Sequence, residues 1–203
     1  MMKKQIINYL NEINPNPVCP LNYNKDYELL IAVMLSAQTT DNSVNKVTKV
    51  LFDKYDIYSL SKANKEDIET IIKPLGNYTK KSKYIIDIAT SLVNNYNGTV
   101  PNKREYLESL SGVGRKTCNV VIGMLFGANV FPVDTHVERI SKRLGIASEH
   151  DSVDKVEEKL MTYFNGENCM RLHEQFLYFG RNICKKRNPL CNKCKLKSIC
   201  KMR

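Results

Sequence analysis

The C-terminal segment from Cys184 to Cys200 constrains this chain more than any other feature. Four cysteines, Cys184, Cys191, Cys194 and Cys200, are spaced Cys-x6-Cys-x2-Cys-x5-Cys. Between them stand Lys, Arg, Asn, Pro and Ser, with three aliphatic residues, Leu190, Leu196 and Ile199. So short a polar stretch cannot bury enough apolar surface to offset the entropy of ordering it. Four thiolates around a metal would. The chain has seven cysteines, an odd number that argues against a disulfide framework. Structural zinc sites usually show two paired knuckles, and only one Cys-x2-Cys is present. A cubane iron–sulfur cluster takes four thiolates at wider spacing. From spacing alone both groups stay open. Cys19, Cys118 and Cys169 lie outside the window and are expected to pack as small hydrophobes.

The same segment carries the charge. Of 203 residues, 31 are Lys or Arg and 21 Asp or Glu, a net +10. Residues 181–203 hold nine of the cations and no acid: Arg181, Lys185, Lys186, Arg187, Lys193, Lys195, Lys197, Lys201 and Arg203. The remainder is nearly neutral. A solvated basic tail would look the same by charge alone, yet a metal-ordered basic loop suits a polyanion. At 42% hydrophobic and 26% charged the chain is globular. No apolar run approaches the ~20 residues of a membrane span, and the N-terminus lacks the apolar block and small-residue cleavage site of a secretory signal. A cytoplasmic protein is expected.

Elsewhere apolar residues recur at helical period and alternating runs are scarce. The expected helices are one on Ile6, Ile7, Leu10 and Ile13, ending before Pro15; a buried one over Tyr27–Gln38; one capped by Thr40 or Asp41; one capped by Asn64 and stopped by Pro74 and Gly76; and a long one over Thr79–Asn95. Further ones are expected over Arg104–Leu110, Lys116–Leu125, Thr135–Leu144, Val153–Phe164 and Asn168–Arg181. The fold class is all-α.

Between two of these helices runs Leu-Ser-Gly-Val-Gly-Arg-Lys-Thr, residues 110–117. Gly112 and Gly114 can take φ > 0 and allow a tight hairpin, with backbone N–H groups at the next helix start suited to a phosphate oxygen. A P-loop fails because Arg115 precedes Lys116 and the loop is too short, and a dinucleotide fingerprint fails for want of a third glycine and a preceding strand. Taken alone, the turn is also compatible with an ordinary helix–helix connection.

The hairpin, Val-Asp-Thr-His-Val at 133–137 with Arg139 and Arg143 beyond it, Ser-Ala-Gln at 36–38, and the cysteine spacing together resemble the endonuclease III family of helix–hairpin–helix DNA glycosylases. The likeness spans nearly the whole chain. It implies two helical lobes: a barrel over 22–131 ending in the hairpin, and a second lobe joining 1–21 to 132–203 with a 4Fe-4S cluster on Cys184, Cys191, Cys194 and Cys200. It also implies a monomer acting on double-stranded DNA, in the nucleoid, at oxidised pyrimidines and abasic sites.

The resemblance assigns roles residue by residue. Lys116 matches the amine that forms a Schiff base with deoxyribose C1′, and Asp134 the carboxylate that stabilises positive charge on the sugar. Sited at a helix start next to Arg115, Lys116 sits where positive potential disfavours the ammonium form. On sequence alone Lys116 reads first as a phosphate contact and Asp134 as a helix N-cap. Gln38 matches the residue that fills the gap left by a rotated nucleotide, and Gly112, Gly114 and Arg115 the phosphate contacts. Two positions depart from the pattern. Asn77 stands where the family places an apolar wedge, and a polar wedge is worse at prying a base stack. Ser111 replaces a common proline, which should loosen the hairpin slightly. Relatives that excise mismatched bases without lyase action commonly lack a lysine at the hairpin. A non-catalytic module that only grips phosphates is the alternative from outside the enzymes.

Overall fold

A computed structural model describes residues 1–202; Arg203, one of the nine C-terminal cations, lies outside the described residues. The described residues contain eleven α-helices and three short 3-10 turns, with no strand among them. No helix is long and apolar enough to cross a membrane. The chain divides into two units, Cys19–Gly127 and Met1–Val18 with Ala128–Arg203.

In the first unit the helices are α2 (Asp26–Leu35), α3 (Asp41–Lys54), α4 (Ile57–Leu60), α5 (Lys65–Ile72), α6 (Tyr78–Tyr96), α7 (Arg104–Ser109) and α8 (Arg115–Phe126). Every residue of α2 from Tyr27 to Leu35 is buried. A helix apolar on all sides must be enclosed on all sides, and α2 packs against α3, α6 and α8. Glu28 closes its N-terminus, accepting from the Asn24 N–H at 2.7 Å, and Asp26 accepts from the Val100 N–H at 2.6 Å.

The sequence expectation of a helix running to Gln38 is corrected: α2 ends at Leu35, and Gln38 takes φ +57° in the loop beyond. An apolar run does not mark that stop: the Ser36 hydroxyl donates to the Val33 carbonyl, and the Leu35 carbonyl is taken by Lys81, far along the chain. Thr40 caps α3 and Asn64 caps α5, whose side chain accepts from the Glu66 N–H at 2.8 Å. Helix α4 has only four residues, too few to show a period, and is held by the Asp56–Ser59 capping box.

The second unit contains α1 (Met2–Ile13), α9 (Thr135–Arg143), α10 (Val153–Tyr163) and α11 (Cys169–Asn182). Its core gathers Ile6, Leu10, Val137, Ile140 and Leu160 around Phe131, Phe164 and Phe176. Phe176 meets Phe131 edge-on at 5.6 Å between ring centroids and Phe164 at 6.0 Å, the arrangement aromatic quadrupoles favour. Helix α1 returns to the C-terminal half through polar side chains. Gln175 on α11 donates to Asn11 and to the Asn14 carbonyl, each at 2.9 Å, and Arg171 donates to the Pro15 carbonyl at 2.7 Å. Cys118 and Cys169 are fully buried, as expected; Cys19 is half-exposed and does not belong to a core.

Candidate active site

Leu110 to Gly114 forms the connection between α7 and α8. The Val113 N–H donates to the Leu110 carbonyl at 3.1 Å, closing the turn. Gly112 has φ +77°, and a Cβ there would stand 2.5 Å from the Tyr84 ring and 3.2 Å from Met34 Cγ. Glycine is needed twice over, for conformation and for space. Gly114 does not use the positive φ open to it. It has φ −92° and ψ 178°, serves as N-cap of α8, and a Cβ there meets no other atom within 4 Å. Its backbone faces open space, which leaves room for a group from outside the protein. Ser111, where the family pattern often has proline, donates its hydroxyl to Asp87 Oδ2 at 2.9 Å and ties the turn to α6.

No side chain caps the N-terminus of α8. Its first turn therefore presents backbone N–H groups and the positive end of the helix dipole on the exposed Gly114–Arg115 side. Lys116 is the second residue of α8 and is half-buried.

Gln38, Asn77 and Gly112 line one open pocket, together with Tyr84, Met34 and Lys80. Three residues assigned to DNA from different stretches of sequence thus share one surface. Asn77 is exposed at φ +48°, a left-handed conformation that asparagine tolerates and branched or bulky side chains do not. Sequence reasoning missed Lys81, which also lines this pocket. It is 5% exposed, and burial pushes its pKa below the usual lysine range. A lysine on an amphipathic helix reads as solvated, and no local signal marks it otherwise.

In the other unit, Asp134 is the N-cap of α9. Its Oδ1 accepts from the His136 N–H at 2.9 Å and the Val137 N–H at 2.8 Å. One carboxylate oxygen thus does all of the capping recorded for this side chain. His136 is half-buried and burial lowers its pKa. Its Nδ1 lies 3.1 Å from the Arg139 guanidinium, which also donates to the Gly180 carbonyl at 3.1 Å. His136 thus lies against the Arg139 guanidinium, which in turn holds the Gly180 backbone.

The four C-terminal cysteines line one pocket with Leu144, Phe179, Ile183, Leu190 and Leu196. Leu196 is fully buried and anchors the loop to the core. Helix α9 holds both ends of the loop: Arg143 donates to the Lys185 carbonyl at 2.8 Å and to Cys184 Sγ at 3.3 Å, and its own carbonyl accepts from the Lys201 N–H at 2.7 Å. Burial, with the other three cysteines adding to it, pushes the Cys194 thiol up. Four thiols crowded this way ionise together only beside a positive centre, so the donor set fits a metal group. Among the described residues, however, no three His, Cys, Asp or Glu side chains converge closely enough to share a single ion. Of the loop's cations, Lys195 is paired with Glu12 at 2.7 Å, whereas Lys186 and Lys201 line an open hollow with Arg139, Lys142 and Arg143.

Comparison with known proteins agrees with this geometry. Residues 31–165 match the HhH-GPD superfamily of base excision DNA repair proteins. Endonuclease III of Rickettsia felis is 42% identical over 98% of this chain and 95% of its own length. Endonuclease III of Bacillus subtilis is also 42% identical, over 95% of this chain and 88% of its own. A solved structure of a trapped endonuclease III–DNA covalent intermediate, an estranged-adenine complex, superposes with a TM-score of 0.91 at 43% identity, over 98% of this chain and 95% of that one. The chain belongs to the endonuclease III family of HhH-GPD base excision DNA repair proteins.

Proposed function

We propose that the protein is a bifunctional DNA glycosylase and abasic-site lyase, acting as a monomer on oxidised pyrimidines in double-stranded DNA of the nucleoid. The observation that carries this reading is the place of Lys116, in the first turn of a helix whose N-terminus no side chain caps, immediately after a hairpin with an open glycine face. That start offers N–H groups to a phosphate, and a phosphate there brings a nucleotide to the amine. The trapped covalent complex of a 43%-identical endonuclease III supports the same chemistry.

In this chemistry the target nucleotide is rotated out of the duplex. The Lys116 amine, uncharged, attacks C1′; the base departs with the electron pair of the glycosidic bond and takes up a proton. The ring oxygen is then protonated and expelled from C1′, leaving an imine between C1′ and Nζ. Loss of a C2′ proton and departure of the 3′ phosphate break the strand by β-elimination. Asp134 has the chemistry to stabilise the cationic sugar and to carry these protons, since its recorded capping bonds fall on a single oxygen. In this reading Gln38 and Asn77 occupy the space the rotated nucleotide leaves; their sharing one open pocket supports it, and an amide both donates and accepts toward an unpaired base.

Cys184, Cys191, Cys194 and Cys200 would hold a 4Fe-4S cluster. Their spread around one pocket, without convergence on a point, suits a group of several atoms better than a lone zinc ion. The cluster would order the loop, and its own charge, about −2 with four thiolates, would offset part of the loop's cations and leave it positive; no step above runs through it. Iron and sulfide analysis with visible absorbance tests this; a colourless folded protein containing one zinc would overturn it.

Incubation with a duplex bearing one oxidised pyrimidine tests the whole reading. Base release followed by cleavage on the 3′ side is expected. Base release that leaves the strand intact would favour a monofunctional glycosylase, and binding without base release a non-catalytic module.

A further inference from the structure

Lys81 is a buried cation with no carboxylate among its recorded partners. Its ammonium donates to the Leu35 carbonyl at 3.0 Å, the Ala37 carbonyl at 3.1 Å, Thr39 Oγ1 at 3.1 Å and the Leu75 carbonyl at 3.3 Å. Three N–H groups are shared among four oxygens. These acceptors come from two separate loops. Leu35, Ala37 and Thr39 flank Gln38, and Leu75 precedes Gly76 and Asn77. Thr39 also donates to the Leu75 carbonyl at 3.0 Å, joining the loops directly. A helix end and a 3-10 turn end both leave orphan carbonyls, and Lys81 takes one from each, Leu35 and Leu75.

Gln38 at φ +57° and Asn77 at φ +48° are both held in left-handed backbone. Such conformations persist only where the surroundings over-determine them. Water could satisfy the same carbonyls if the loops opened, at a smaller desolvation cost than that of a buried ammonium. A lysine kept here against that cost fixes the relative position of two side chains that both face one pocket.

We propose that Lys81 is a positioning residue, a buried clamp that sets Gln38 and Asn77 jointly for occupancy of the gap in the duplex. The proposal rests on the reading that Gln38 and Asn77 contact DNA. Single-stranded abasic DNA has no gap to fill and no orphaned base, so it separates this role from a general loss of structure.

The test compares wild type, Lys81→Met, Gln38→Ala and the double variant. For Lys81→Met, kcat/KM on a duplex with one oxidised pyrimidine should fall about 10- to 100-fold. Borohydride trapping on a single-stranded abasic oligonucleotide should stay within about twofold of wild type, and the double variant should lose little beyond Gln38→Ala. Equal losses on both substrates, no loss on the duplex, or fully additive losses would overturn the clamp. If Gln38→Ala left the duplex rate intact while Lys81→Met lowered it, the gap-filling role of Gln38 would be the part that fails. Should Lys81→Met not fold, Thr39→Val removes the hydroxyl shared by Lys81 and Leu75 and should show the same substrate split at smaller size.

Discussion

The two hairpin glycines look equivalent in sequence and should respond oppositely to alanine. Gly112→Ala forces an L-residue to φ +77°, at about 1–2 kcal/mol. It also drives a methyl to 2.5 Å from the Tyr84 ring and 3.2 Å from Met34 Cγ. Overpacking of this kind costs about 1–3 kcal/mol. Tyr84 is half-exposed and can swing outward, so a total near 2–4 kcal/mol is expected. For a chain of this length that is a fall in Tm of about 4–16 °C. Gly114→Ala adds a methyl at φ −92° with nothing within 4 Å. Its stability cost, that of a poorer N-cap, should stay below about 1 kcal/mol, while the methyl stands where a phosphate would approach and should weaken duplex binding about tenfold or more. Thermal unfolding by circular dichroism and binding by fluorescence anisotropy read the two effects separately. A Gly112→Ala variant that melts within about 2 °C of wild type would refute the packing argument. A Gly114→Ala variant that binds DNA normally would refute the open-face argument.

Asp134→Asn keeps an equally good N-cap, so Tm should hardly move, yet single-turnover cleavage should slow by about 10²-fold or more; unchanged cleavage would reduce Asp134 to a cap. Asp151 is held down to about 2, from an ordinary 3.8, by Lys159 at 2.6 Å and the Ser148 N–H at 2.7 Å. Its folded pKa lies below the unfolded one, so its stabilisation is present above pH 3.8 and is lost as pH falls towards 2. Asp151→Asn should therefore narrow the stability gap to wild type between pH 5 and pH 2, measured by urea unfolding at each pH, and a constant gap would contradict the assignment. If about five phosphates are neutralised, log K for duplex binding should fall against log salt with a slope near −4.5. Lys195→Gln should change that slope least among the loop lysines, because its charge is already paired with Glu12; a slope near zero would remove the basic loop from the interface.

How far the sequence could be read depended on how local each determinant is. Caps at Thr40, Asn64 and Asp134 bond to groups two or three residues away, so they were visible beside the apolar period. The end of α2 was not, because the lysine that takes its last carbonyl, that of Leu35, stands 46 residues further on. Gly112 and Gly114 share a motif but not a conformation; Tyr84 and Met34, packed against one of them, and its positive φ separate their roles. The Ser111–Asp87 bond spans 24 residues and supplies by contact what a proline would supply by stiffness. Asn77 looked like a defect in the pattern until its left-handed backbone gave asparagine a reason to be there.

Reduction of the complex with abasic-site DNA by borohydride, digestion, and mass mapping of the adduct test the central claim most directly. The account places the deoxyribose remnant on the peptide bearing Lys116, with the adduct lost in Lys116→Gln. An adduct on any other lysine, Lys81 or Lys80 included, or none with the wild type, would contradict it.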